Sequence, residues 1–292
     1  MASRLLLIMP PIAIMVAAFL WAFDGVVLTP WINDLGLWDV PTFVLLLHLT
    51  ASVFLSYFLI TKRHELARLQ RSDWVAFGLT ALFGGAIGTM AIFAAIIQVH
   101  TEHLNIAVVL LLQKLQPIFA ILLAYAWLKE RPTRVFYFWA VLAVMGSYFL
   151  TFGWEAVSVS GQGMLIPALL AVLAAFSFGS STVFSKKAIT KVSHGVGTAL
   201  RFVLTSIIMF IIILVIAALN TAGVTTGYGG IDAFNAVTLE MIGVFVLIAL
   251  TTGGTAIFIY YWGLKRIMAS RATVFEMMFP VSAVVLEWLI HD

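Results

Sequence analysis

The chain has 292 residues, of which 63% are hydrophobic and only 10% charged, with a mean hydropathy of +1.10. Soluble chains carry about 25% charged residues, so this composition excludes an ordinary soluble domain and indicates a protein that crosses a membrane many times. The formal charge of +3 therefore says less about an acidic partner than the placement of the basic residues does, and the absence of cysteine excludes disulfides and thiolate metal sites.

From the N-terminus, MASRLLLIMPPIAIMVAAFLWAF has one Arg before a long apolar run and no clear small-residue cleavage site. It reads as a retained first span rather than a signal peptide. Apolar windows then give nine spans, at roughly 5–28, 41–60, 74–98, 104–128, 135–153, 163–184, 196–219, 239–263 and 268–290. The longest connection, Asn220 to Val237, is rich in Gly and Thr and is expected to be an exposed loop.

With these spans, Arg4, Lys62, Arg63, Arg68, Arg71, Lys129, Arg131, Arg134, Lys186, Lys187, Lys191, Lys265, Arg266 and Arg271 all fall on one side. The opposite loops hold Asp34, Asp39, Glu102, Glu155 and Asp232 and no Lys or Arg. The positive-inside rule places the N-terminus in the cytoplasm of a multi-pass protein of the cell membrane. Lys114 and Arg201 remain, both inside spans. Arg201 is close enough to the cytoplasmic end to snorkel.

The fourth span carries a polar cluster, Gln113, Lys114 and Gln116, followed by Pro117. It is about 36 Å long, and Lys114 lies on the order of 15 Å into it, where an ammonium needs a partner or a hydrated cavity. The ninth span repeats the design: aligning Pro117 with Pro280 sets Gln113 opposite Glu276 and Lys114 opposite Met277. Further matches come in the same order. AAFLWAFDG (17–25) pairs with AAFSFGSST (174–182), setting Asp24 opposite Ser181. LLLHLTASVFLSYF (45–58) pairs with TALRFVLTSIIMFI (198–211), setting His48 opposite Arg201. GTMAIF (88–93) pairs with GTAIF (254–258).

Two units are therefore expected, 1–155 and 156–292. Five spans per unit is an odd number, so the second copy enters from the opposite face and the fold class is an all-α polytopic, inverted-repeat transporter. In the first unit Lys129-Glu130 leads into a further span, whereas the second unit stops at His291-Asp292. A tenth helix is thus expected beyond the sequence given.

The helix ending PIFAILLAYAWLKERPT, the following span ending GSYFLTFG, and FLWAFDG in the first helix resemble the EamA-type module of the drug/metabolite transporter superfamily. That resemblance covers essentially the whole chain. It implies ten helices, both termini inside, and passage of a small metabolite by proton coupling, exchange or facilitated diffusion.

The candidate substrate-binding residues are Trp21, Asp24, His48, Gln113, Lys114, Gln116 and Glu276, with Pro117 and Pro280 as helix breaks. Lys114 suits a carboxylate, a phosphate or Glu276 as partner. Glu276 suits substrate, a proton, or a structural pair with Lys114. Asp24 and His48 either pair at similar depth or are wet residues near the outer surface. Trp21 either stacks on a flat or cationic ligand or packs against lipid. Pro117 cannot donate a backbone hydrogen bond, which frees the carbonyl of Gln113, and the glutamines either line a cavity or join helices. Gly84, Gly85, Gly88, Gly253, Gly254, Ser177 and Ser181 read as close-packing positions. Tyr260, Tyr261 and Trp262 read as an inner interfacial belt, one of them also able to line an inner vestibule.

No phosphate loop, HExxH or GxSxG is present, so no cofactor, metal site or enzyme activity is expected. The partners are a small molecule, the bilayer, and protons or a counter-substrate, with no nucleic acid. The leading reading is an exporter of an amino acid or related compound. The alternatives are an organic-cation or drug exporter with Lys114 tied to an acid, and, less favoured, an intramembrane enzyme acting on lipid.

Overall fold

The structure is a computed structural model and describes residues 2–152, 154 and 163–291. Glu155, Asp292 and the expected unit boundary at 155–156 lie outside the described residues. Among the described residues, eight helical segments are long and apolar enough to span a bilayer: α1 Ile8–Asp34, α2 Val40–Thr61, α3 Arg71–Thr101, α4 Val108–Leu128, α6 Leu165–Ala188, α7 His194–Thr221, α8 Leu239–Leu264 and α9 Ala269–Ile290. Between α4 and α6 lies α5, Arg134–Phe152, a further apolar helix of 19 residues. This is the all-helical, two-repeat membrane architecture expected from the apolar windows.

Helix pairing follows the repeat. α1 packs on α8 and α9, while its counterpart α6 packs on α3 and α4, and α2 packs on its own counterpart α7. Each half thus supplies the first helix that fills the other half. Neither half buries its polar stripe alone.

The helices are not regular throughout, and the irregularities are also paired. α4 is helical to Gln113, turns at Lys114 and Leu115, and resumes at Gln116. α9 is helical to Phe275, turns at Glu276 and Met277, and resumes at Met278. In both turns the backbone tightens to three-residue spacing: Lys114 N donates to Leu111 O at 2.9 Å, Leu115 N to Leu112 O at 3.1 Å, and Met277 N to Val274 O at 3.2 Å. The cause is Pro117 and Pro280, whose missing N–H groups cannot continue the ladder. Behind Pro280, the carbonyl of Glu276 accepts from Phe279 N at 3.0 Å.

A second matched pair lies in α3 and α8. Each widens to a π-helical stretch, Ala81–Ile87 and Ala249–Gly253, immediately before the repeated Gly-Thr. A π-helical turn removes a carbonyl from the α-helical ladder, and nothing in the hydrocarbon can satisfy it except protein. The threonine five residues on does so in both halves: Thr89 Oγ1 donates to Gly84 O at 3.2 Å and Thr255 Oγ1 to Leu250 O at 2.6 Å. In the first half, α6 and α7 add donors. Ser181 Oγ reaches Thr80 O at 3.3 Å, Thr205 Oγ1 reaches Ala81 O at 3.3 Å, and Arg201 Nη2 reaches Gly84 O at 3.2 Å. Arg201 therefore turns inward rather than snorkelling to the surface.

A third π-helical turn, Asp24–Leu28, extends α1 to Asp34, past the expected end at 28. It immediately precedes Thr29-Pro30, and Pro30 again lacks the donor for an ordinary turn.

The basic end of the molecule is tied shut between the halves. Buried Glu130, just past α4, accepts from the backbone N–H groups of Ala269 (2.8 Å) and Ser270 (3.0 Å) and from Ser270 Oγ (2.7 Å), capping α9 with a full negative charge at its N-terminus. Lys191 Nζ pairs with Asp73 Oδ2 at 2.8 Å. Glu65, in the connection after α2, accepts from Ser193 N at 2.5 Å. Two cavities lie at the other, acidic end. One of about 590 Å³ is lined by Trp38, Asp39, Gln98, Thr101 and Tyr228 among others, and one of about 330 Å³ by residues including His100 and His103.

Two outcomes follow. A Cβ on Gly84 would lie 2.0 Å from Ser181 Oγ, whereas nothing lies within 4 Å of one on Gly243. Gly84→Ala is expected to lower stability by about 1–3 kcal/mol. Gly243→Ala is expected to be neutral or stabilising by up to about 1 kcal/mol. Thermal unfolding in detergent distinguishes them. For Glu65, partial burial pushes the carboxyl up, but the Ser193 backbone and hydroxyl and the Lys62 and His64 charges outweigh it and hold the group below its ordinary value. A depressed carboxyl stabilises the fold above its unfolded pKa, about 4.3, and that contribution is lost as pH falls through the lower folded value. The stability advantage of the native chain over Glu65→Gln should accordingly be present at neutral pH and vanish on acidification, in melts recorded across that range.

Candidate functional site

The two helix breaks meet at the centre. Glu276, in the α9 break, accepts from Gln116 Nε2 at 2.6 Å on one carboxyl oxygen and from Tyr260 OH at 2.7 Å on the other. Tyr260 OH lies 3.2 Å from Thr182 Oγ1, and Thr182 Oγ1 is also 3.2 Å from Phe178 O. One phenol proton serves one acceptor. Tyr260 OH faces both Glu276 and Thr182 Oγ1 as acceptors, the shorter contact being to Glu276, while the Thr182 hydroxyl donates to Phe178 O. Side chains of α4 in the first half and of α6, α8 and α9 in the second are thus joined through one carboxylate.

Aromatic rings surround this network. Trp21 of α1 lies on Tyr260 with ring centroids 5.3 Å apart at 54°. On the neighbouring side, Lys114 Nζ stands 3.8 Å above the centroid of Phe279 and 3.5 Å from Gln113 Oε1. A cation over a ring face is attracted by its quadrupole, more strongly where water is scarce. Phe279 in turn faces Gly25, where a Cβ would come within 3.9 Å of the ring. The result is two rings, Tyr260 and Phe279, beside a strip of amides and charges from the two breaks. Neither cavity at the acidic end includes Glu276, Gln116 or Lys114.

Several expected arrangements are corrected. Lys114 and Glu276 form no ion pair; Lys114 takes the ring of Phe279 instead, because the break points Gln116 at the carboxylate. Asp24 and His48 are not brought together. His48 is 4% exposed, shares a hydrogen bond of 2.8 Å between Nδ1 and Val44 O, and packs on Phe202. Asp24 instead lies against Thr252 of α8. His48 is thus not a wet surface residue, and Asp24 is half-buried with its Oδ1 enclosed. Trp21 packs inward on Tyr260 rather than only against lipid.

Tyr260 and Tyr261 are 2% and 0% exposed, so they belong to the interior and not to an interfacial belt. Tyr261 OH is 2.9 Å from Ser185 Oγ and 3.5 Å from Arg201 Nη1. A signal for them was present: GTAIFIYY stands where the first copy has GTMAIFAA, so the two tyrosines depart from an otherwise shared apolar stretch. Phe279 and Thr182, which complete the site, lay in apolar or small-residue runs with nothing to single them out.

Among the described residues, no group of three or more His, Asp or Glu residues is placed to hold a metal.

With this geometry in place, comparison with known proteins is informative. The profile of the EamA-like transporter family matches residues 9–152 and 165–292. The riboflavin transporter ImpX of Fusobacterium nucleatum subsp. nucleatum is 42% identical over 278 residues, which cover 94% of this chain and 87% of that protein. An experimentally solved crystal structure aligns with 97% of this chain and 88% of its own length at a TM-score of 0.69 and 16% identity, a likeness of fold alone.

The central network predicts an ordering of variants. In Glu276→Gln the amide can accept from Gln116 and donate to Tyr260, whose proton then turns to Thr182, so every group keeps a partner. Glu276→Leu strands the Gln116 amide and frees the phenol. The leucine variant should lose about 1–3 kcal/mol of stability and the glutamine variant less, read from thermal unfolding of the purified protein.

Proposed function

Because the chain belongs to the EamA-like transporter family, we propose that it carries riboflavin, or a flavin with the same ring system, across the cell membrane by alternating access. It is a membrane transporter, and its cargo is a small molecule. The basic end with the N-terminus faces the cytoplasm in this reading. With no nucleotide-binding motif in the sequence, a gradient or a counter-substrate supplies the energy.

The observation that carries the flavin is the meeting of aromatic faces with amides at the paired helix breaks. Riboflavin is uncharged, flat and tricyclic, with an imide edge that both donates and accepts hydrogen bonds. Trp21, Tyr260 and Phe279 offer ring faces to such a molecule. Gln113 and Gln116 offer amides, which like the imide both donate and accept. The identity with a relative named as a riboflavin transporter supports the same cargo.

An amino acid asks for something different: a cation for its carboxylate and an acid for its ammonium. Here the Glu276 carboxylate is engaged on both oxygens and Lys114 faces a ring. The cation-exporter alternative rested on Lys114 being tied to an acid, and it forms no such pair. We therefore replace both cargoes by the flavin.

Flavin fluorescence gives the test. Purified protein should quench riboflavin on binding, and proteoliposomes should accumulate it above protein-free vesicles. Phe279→Ala and Trp21→Ala should weaken binding about tenfold each, or roughly 1.4 kcal/mol. Lys114→Met should retain riboflavin binding, because the cargo carries no charge. Absence of quenching and uptake, together with counterflow of an amino acid that Lys114→Met abolishes, would overturn the proposal.

A further inference from the structure

The two halves solve the same problem with different residues, and the difference lies next to the central site. Each half contains a π-helical stretch before Gly-Thr, facing the first and second helices of the other half. In the first half, the stretch Ala81–Ile87 faces Ser181 of α6 and Arg201 of α7. Arg201 places a permanent positive charge against it, Nη2 at 3.2 Å from Gly84 O, and Ser181 donates to Thr80 O.

In the second half, the stretch Ala249–Gly253 contacts α1 and α2. The residue opposite Ser181 is Asp24 and the residue opposite Arg201 is His48. The exchange replaces a neutral donor with an acid and a fixed guanidinium with an imidazole. His48 instead has its Nδ1 on Val44 O of its own helix and its ring on Phe202.

The consequence is a buried, oxygen-rich point where the Thr252 hydroxyl is the donor beside the acid, and it is poorly aligned. Asp24 lies against Thr252, yet Asp24 Oδ1 and Thr252 Oγ1 are both buried and neither reaches hydrogen-bond geometry with any partner among the described residues. Buried polar oxygens without partners are costly and call for an explanation. Asp24 begins the π-helical turn that immediately precedes Thr29-Pro30; Thr29 N–H serves the Asp24 carbonyl, and Pro30 withholds the next backbone donor from the turn. A carboxylate, a hydroxyl and carbonyls from a discontinuous helix are the oxygen set with which transport proteins hold an alkali cation.

We infer that Asp24 and Thr252, with carbonyls of the Asp24–Leu28 turn, bind a sodium ion that does in the second half what Arg201 does in the first. A monovalent ion matches a single carboxylate, whereas a divalent ion would leave uncompensated charge inside the membrane. The other nearby acid, Glu276, is held by Gln116 and Tyr260. The site adjoins the substrate site through α1: Trp21, on Tyr260, lies one turn before Asp24, and Gly25, against Phe279, follows it. An ion there is placed to order the rings that line the cargo's path, so its gradient can drive transport. The inference stands on the internal repeat and does not depend on the cargo being a flavin.

The test needs no cargo. Purified protein is melted in increasing NaCl, with choline chloride making up constant ionic strength, so that general screening is the same throughout. The expected result is a saturable rise in melting temperature with sodium. It should be absent in Asp24→Asn and right-shifted at least tenfold in sodium concentration in Thr252→Val, a change that removes the hydroxyl and keeps the shape. Should Asp24→Asn not fold, the Thr252→Val titration and binding of radioactive sodium to the native protein decide the matter. Identical melting in sodium and choline, or an undiminished sodium response in the folded variants, would overturn the inference. So would a dependence of Asp24 on pH alone with no response to sodium.

Discussion

Everything in this molecule depends on the rule that a peptide group inside a bilayer must find its partner within the protein. A chain of uninterrupted helices would meet that rule locally and leave the interior with nothing to offer a polar cargo. Here prolines at 30, 117 and 280 and the stretches before both Gly-Thr pairs interrupt the ladder, and the interruption in α3 is repaired by side chains of the other half. The repairs cross between halves: Ser181, Arg201 and Thr205 serve carbonyls in α3, and Gln116 reaches the acid of the α9 break. Cohesion of the two repeats and polarity of the centre thus have one origin.

Glycine serves the same end by distance. Gly84 and Gly85 sit where side-chain oxygens of Ser181 and Thr205 approach so closely that a methyl group would overlap them. A hydroxyl on a neighbouring helix can reach a backbone carbonyl only if the surfaces meet at backbone separation, which is why small residues recur at these crossings.

How much of this was legible in the sequence differs from residue to residue. Apolar windows located eight of the nine expected spans as membrane-length helices among the described residues, because the bilayer imposes length almost independently of tertiary detail, while the fifth is a shorter apolar helix by the same measure. The pairing of Pro117 with Pro280 located both breaks, because proline acts on its own backbone. Side-chain partners were not legible in the same way. Lys114 and Glu276 look like an ion pair on charge alone, but which groups meet across four helices depends on rotation about each axis, and that brings Gln116 to the carboxylate and a ring to the ammonium. Tyr260 was misplaced for a related reason: aromatic residues near a helix end mean an interface on average, and only the burial of α8 against α1 overrides it. Glu130 was noted as part of a turn, yet its role as a cap on α9 is a contact between residues far apart in sequence.

That cap has a mechanical consequence. The piece of α9 before the break, Ala269–Phe275, is seven residues long. At its beginning it is gripped by Glu130 and just past its end by Gln116, so both fastenings come from α4 and the residues directly after it. A short rod pinned at two points to the same support cannot pivot on that support; it can only travel with it. Rearrangement at the basic end therefore moves α4 and this segment as one lever, and the bending falls on the Glu276–Met277 turn, where the backbone has already given up its regular bonding. The joint and the carboxylate that Gln116 and Tyr260 hold are then the same residue, so any change in the bonding of Glu276 acts directly on the fulcrum.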